Sequence, residues 1–162
     1  MKNQTEKATL KEEIRALSHV NEITEHRYAD ILNQRIKLWH QSLQICVRLF
    51  KTTTSYKKIQ SIETSKNKKE KEITQEELSL IYQEINEAFI EAMQELLEQY
   101  PSLTQDDLYY CILNYLQLSN NTIKVCMKAG SQSALTQRKY RIKKQLSDLS
   151  FSIIFDAKGE SK

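Results

Sequence analysis

A chain of 162 residues with two glycines and one proline has too few turn-forming residues for a β-rich fold, which predicts an all-α protein. Its 24 basic and 21 acidic side chains leave a net charge of +3, and no run of about 18 apolar residues is present to span a membrane. The three cysteines, Cys46, Cys111 and Cys126, lie in apolar stretches without zinc-ligand spacing, so they read as buried reduced thiols in a cytoplasmic protein.

The modest net charge conceals a segregation. Residues 31–71 carry ten basic and two acidic side chains, residues 72–107 ten acidic and no basic, and residues 108–162 nine basic and three acidic. An acidic segment turns away from nucleic acid, whereas the last segment can approach it.

In chain order, the start KNQTEKATLKEE lacks an apolar signal-peptide core, so no secretory leader is expected. Residues 6 to 52 contain neither proline nor glycine and predict one long helix of roughly 70 Å at 1.5 Å per residue. Leu10, Ile14 and Leu17 begin a 4-3 spacing. Continued, it places Thr24, Ile31, Leu38 and Ile45 at one seam position, and Asn21, Tyr28, Arg35, Ser42 and Leu49 at the other. The first half is readable as a coiled coil with Asn21 fixing register, or as a lone surface helix. From Ile31 onward the apolar residues crowd, including Ile36, Trp39, Leu43 and Phe50, which suits a helix buried in a bundle or dimer.

The Thr-, Ser- and Lys-rich stretch near residues 52–72 predicts a mobile loop, with a break at Thr52–Ser55 and a short helix at Tyr56–Ile62 inside it. Thr74 and Glu77 form a capping box for the next helix. Leu78, Ile81, Ile85, Phe89, Ala92 and Leu96 give that helix its apolar face, and Pro101 ends it. This acidic helix is expected to fold back on the apolar end of the first as a hairpin.

Thr104 and Asp107 repeat the capping signal for a helix over Gln105–Gln117. Ser119 caps a second, short helix with Ile123 and Met127 on its apolar side. Lys128–Ser131 predicts a turn, with Gly130 as the residue suited to positive φ. A third helix follows over about Ser133–Leu146, and the apolar tail LSFSIIF is suited to packing back or to contacting a partner. Residues 1–100 thus form a helical dimerisation region, residues 101–155 a helix-turn-helix domain, and residues 156–162 a disordered tail.

The third helix carries five basic side chains and no acid. At about 100° per residue, Leu135, Ile142 and Leu146 form its buried stripe. Gln137, Tyr140, Arg141 and Lys144 then face outward, with Thr136 and Lys143 on one flank and Arg138 on the other. Helix, turn and basic helix is the plan of a DNA reader that enters the major groove. Thr136, Gln137, Tyr140 and Arg141 suit base edges, whereas Arg138, Lys139, Lys143 and Lys144 suit phosphates. Such readers work in pairs on half-sites, so double-stranded DNA and a second copy are the expected partners.

These residues resemble the C-terminal helix-turn-helix domain of LuxR-type regulators, through Leu103-Thr104, Leu118-Ser119 and Arg138–Lys144. More closely, IKVCMKAGSQSALTQRKYRIKKQL is similar to the ending of bacterial regulators that carry tetratricopeptide repeats, one membrane span, a cytoplasmic coiled coil and this domain. The likeness extends upstream through RIKLWHQSLQICVRLF and LLEQYPSLTQDDLYYCILNYLQLS, over residues 35–147. It implies a transcription regulator, either the cytoplasmic part of a membrane-anchored protein or a free-standing relative. Two positions depart from the pattern. Lys124 stands where a small residue is usual, and Lys128 where a glycine often follows the methionine. Both bear on the angle between the second and third helices.

An enzyme is not expected. His19, His26 and His40 lie along the first helix without a nucleophile or ligand set, and neither a glycine-rich phosphate loop nor a cofactor or metal motif is present. The alternative is a helical interaction module whose basic third helix binds an acidic protein, RNA polymerase among the candidates.

Overall fold

The computed structural model describes residues 2–66 and 72–156. They form eight helices and no strand: α1 (Lys2–Phe50), α2 (Thr54–Thr64), α3 (Gln75–Ala88), α4 (Ile90–Gln99), α5 (Gln105–Tyr115), α6 (Asn120–Met127), α7 (Gln132–Gln145) and α8 (Asp148–Phe155). Among the described residues, no helix is long and apolar enough to cross a membrane. The chain divides into two compact units, Met1–Leu38 and Trp39–Lys162.

The first unit is a single helical stretch. Every described side chain from Asn3 to Arg35 is exposed, apolar ones included. Thr9 and Thr24 turn their hydroxyls back onto the carbonyls of Thr5 and Val20, both at 2.9 Å, which satisfies the hydroxyls within the helix.

The second unit holds the core. The end of α1 contributes Trp39, Leu43, Cys46 and Phe50, spaced four, three and four apart on one face. Trp39 donates its indole N–H to the Ala92 carbonyl at 3.1 Å, and the Phe50 and Phe89 rings lie 6.0 Å apart. The acidic helices therefore do pack on the apolar end of α1. The segment 101–155 shares this one core with residues 39–100, through Leu96, Leu103, Leu108 and Leu113.

Three local features differ from the sequence expectation. The helix expected to run unbroken from Gln75 to Pro101 is interrupted at Phe89, whose φ of −109° and ψ of 14° leave the helical region. Hydrogen bonds on either side persist, Phe89 to Ile85 and Met93 to Phe89, both at 2.9 Å, and the Phe89 ring is fully buried. The short helix expected at Tyr56–Ile62 is longer, since α2 begins at Thr54 inside the expected break and runs to Thr64, capped by the Thr53 hydroxyl and anchored by the wholly buried Ile59 and Ile62. The expected loop at 67–71 and the expected tail beyond Asp156 lie outside the described residues. Third, the positive φ of the turn after α6 belongs to Lys128 (φ 49°, ψ 39°) and not to Gly130. Its backbone N–H and that of Ala129 return to carbonyls at the end of α6, which is a left-handed C-cap one residue past the helix.

Candidate nucleic-acid interface

The frame for α7 is built from α5. Thr104 and Asp107 form the expected capping box, each backbone N–H donating to the other's side chain at 3.0 and 3.1 Å. That arrangement occupies Oδ2 of Asp107. Its other oxygen, Oδ1, accepts from Arg138 Nη1 on α7 at 2.7 Å. The pair is largely covered, with side-chain exposures of 23% for Arg138 and 11% for Asp107. A charge-assisted bond of this kind fixes the rotation of α7 on α5.

Two tyrosines of α5 add further anchors. The Tyr110 hydroxyl donates to the Leu135 carbonyl at 3.3 Å, and the Tyr109 hydroxyl to the Cys126 carbonyl at 3.4 Å. Burial raises the pKa of both phenols above the ordinary value, which keeps them protonated as donors.

The short α6 is held from α2. The Ser119 N-cap donates its N–H to both Glu63 oxygens, at 3.0 and 3.1 Å, and its hydroxyl to Glu63 Oε2 at 2.9 Å. The Thr122 hydroxyl also donates to that oxygen. A carboxylate here suits the positive end of the α6 dipole. At the other end of α6, Lys128 Nζ donates to Gln75 Oε1 on α3.

The inner side of α7 buries Leu135 and Ile142, with Leu146 at its C-cap. The apolar tail packs back as α8, where Phe155 meets Tyr110 with ring centroids 5.9 Å apart. Lys139 lies over the Phe155 ring at 5.3 Å and Lys143 over Phe151 at 5.3 Å. These cations stay exposed while their stems shield the α8 aromatics.

The outer side of α7 presents Ser133, Thr136, Gln137, Tyr140, Arg141 and Lys144, all exposed. Their 3-1-3-1-3 spacing makes one continuous polar stripe. Tyr140 is 60% exposed, and Lys144 Nζ sits 4.4 Å from its ring centroid. The face expected from the helical wheel, Gln137, Tyr140, Arg141 and Lys144, is thus gathered on one side together with Thr136. Lys143 flanks it toward α8, and Arg138 points the other way into its pair with Asp107. Ser133 belongs to the stripe too. The spacing from Ser133 to Thr136 and Gln137 carried that signal.

A cleft of about 340 Å³ lies beside this frame, lined by Tyr82, Tyr109, Cys126, Met127, Lys128 and Arg138. Burial, with a smaller contribution from the Glu63 charge, pushes the Cys126 thiol up to about 12. It is therefore a neutral thiol at physiological pH, without the thiolate character a nucleophile needs. Among the described residues, no group of three or more His, Cys, Asp or Glu is placed to hold a metal ion.

No family model, no curated protein and no solved structure matches this chain.

Proposed function

We propose that the second unit binds double-stranded DNA through the outer face of α7 and acts as a transcription regulator. One observation carries this reading. The stripe Ser133, Thr136, Gln137, Tyr140, Arg141 and Lys144 is exposed, lacks any acid, and sits on a helix whose opposite side is clamped to α5 and α8. A rigid helix with a free cationic face is what insertion into a major groove requires.

In this reading Thr136, Gln137, Tyr140 and Arg141 approach base edges along one face of α7. Lys143 and Lys144 approach phosphates. Arg138 has a protein partner at 2.7 Å, so its role is to position α7 and not to neutralise a phosphate.

The test is titration of duplex DNA with the full chain, followed by fluorescence anisotropy at several salt concentrations. A linear fall of log affinity with log salt is expected, with a slope set by the phosphates neutralised. Capture of bound genomic fragments then identifies the sequence read. Loss of duplex binding with retained binding to an acidic polypeptide would assign the same face to a protein partner.

A further inference from the structure

We propose that the cleft between α3, α5, α6 and α7 binds a small aromatic carboxylate. Such binding is independent of the DNA reading. The cleft's volume of about 340 Å³ falls in the range of small-molecule sites, which are mostly apolar with a few convergent polar groups.

One wall is apolar. Tyr82 of α3 is half-buried, its ring 5.1 Å from that of Tyr109 and tilted by 59°. Leu78 and the Met127 thioether, both half-buried, extend this wall. Aromatic and thioether surfaces suit a flat apolar body.

The other wall supplies hydrogen-bond donors. A guanidinium carries five N–H groups and an ammonium three. Arg138 uses one of its five on Asp107 Oδ1, and Lys128 one of its three on Gln75 Oε1. Neither head meets another acceptor among the described residues. The two oxygens of a carboxylate match two parallel N–H groups of a guanidinium, and an ammonium adds a point charge. Arg138 is the stronger anchor, since its side chain is largely covered and partial desolvation strengthens a charged hydrogen bond. Asp107 already balances Arg138 in charge, so the selection comes from open donors and not from net charge. Asp106, the acid in the lining, is exposed, where water screens its charge.

Two other clefts lack this combination. The one beside Ile90, Met93 and Leu108 has no charged residue in its lining. The one beside Leu49 and Thr53 has Glu84 and Glu87 and no cation. A ligand held as described joins Tyr82 on α3 to Arg138 on α7.

Calorimetric titration of the full chain with indole-3-acetate, phenylpyruvate and 4-hydroxybenzoate tests the assignment. At least one acid should bind with a dissociation constant of about 1 mM or below, which a ligand of this size reaches at ordinary efficiency. The amide of that acid, which keeps the ring and lacks the charge, should bind about tenfold more weakly or worse. Amide shifts in nuclear magnetic resonance spectra should centre on Ser79, Tyr82, Met127, Lys128 and Arg138. Ser79→Trp, on the exposed edge of the cleft, should plug it and abolish binding. Lys128→Gly should weaken binding by about threefold and leave the chain folded, because glycine adopts that left-handed turn freely. Absence of binding by all three acids at about 5 mM, equal affinity for acid and amide, or undiminished binding by Ser79→Trp would each overturn the proposal.

Discussion

The first unit and α7 each expose one complete stripe of a helix, and the two stripes differ in every other respect. Along residues 10–38 of α1 the stripe is mostly apolar, interrupted by Asn21, Thr24 and Arg35, and its apolar side chains are exposed. On α7 the stripe is polar and basic, and the opposite side is held by Leu135, Ile142, the Asp107–Arg138 pair and the Tyr110 hydroxyl. An exposed apolar stripe is uncomfortable in water and gains from any surface that excludes it. An exposed basic stripe is well solvated and gains from a dense row of negative charge. One helix therefore lacks half of its packing, while the other has its packing complete and offers only its chemistry.

That contrast can be broken from its strongest side first. Ile142→Ala empties a fully buried site behind α7 and should destabilise the second unit by about 3 kcal/mol in chemical denaturation. A loss below about 1 kcal/mol would mean that α7 is not clamped. Asp107→Ala removes the acceptor of the Thr104 N–H, which is half of the α5 capping box, and the partner of Arg138, and should cost about 2 kcal/mol. Denaturation midpoints for that variant, Arg138→Ala and the double variant would give the coupling between the two side chains.

Arg141→Ala combined with Lys144→Ala acts on the stripe alone. Stability should stay within about 0.5 kcal/mol, whereas the salt slope of duplex binding should fall by about 1 through the loss of Lys144, and the loss of Arg141 should relax the sequence preference. Unchanged binding would remove α7 from the interface. The smallest effect concerns the turn that leads into α7. Lys128→Gly should raise stability by about 1 kcal/mol, because Lys128 holds a left-handed conformation that glycine adopts freely. Gly130→Ala should change it by no more than about 0.5 kcal/mol, since a Cβ there meets nothing within 4 Å and φ is not positive.

The outline of the second unit was legible in the sequence because its signals are local. Both capping boxes, Thr74 with Glu77 and Thr104 with Asp107, form as their spacing implies. Leu135, Ile142 and Leu146 are buried as the helical wheel requires. What escaped depends on residues distant in the chain. Phe89 interrupts a helix that has neither proline nor glycine, and its ring is buried near that of Phe50. The short helix expected at Tyr56–Ile62 is there as part of Thr54–Thr64, but its anchors lie far away in the chain, where Glu84 accepts from the Ser55 N–H and Glu63 from the Ser119 N–H. Arg138 counted as one more cation on a basic helix until its partner, 31 residues earlier, came into view. The turn after α6 misled for another reason. Glycine is the usual residue at positive φ, but Lys128 takes that conformation because the helix ends one residue before it.

Glu63 has a consequence for electrolytes. Helix N-termini gather phosphate and sulfate from solution because their amides and dipole await an anion. At α6 the place is filled by a carboxylate that arrives covalently, from α2, and bonds the amide of Ser119 and two hydroxyls. The fold thus carries its own counter-ion there. Free phosphate has nothing to neutralise at that terminus, and a duplex backbone would have to displace part of the protein's own scaffold to use it.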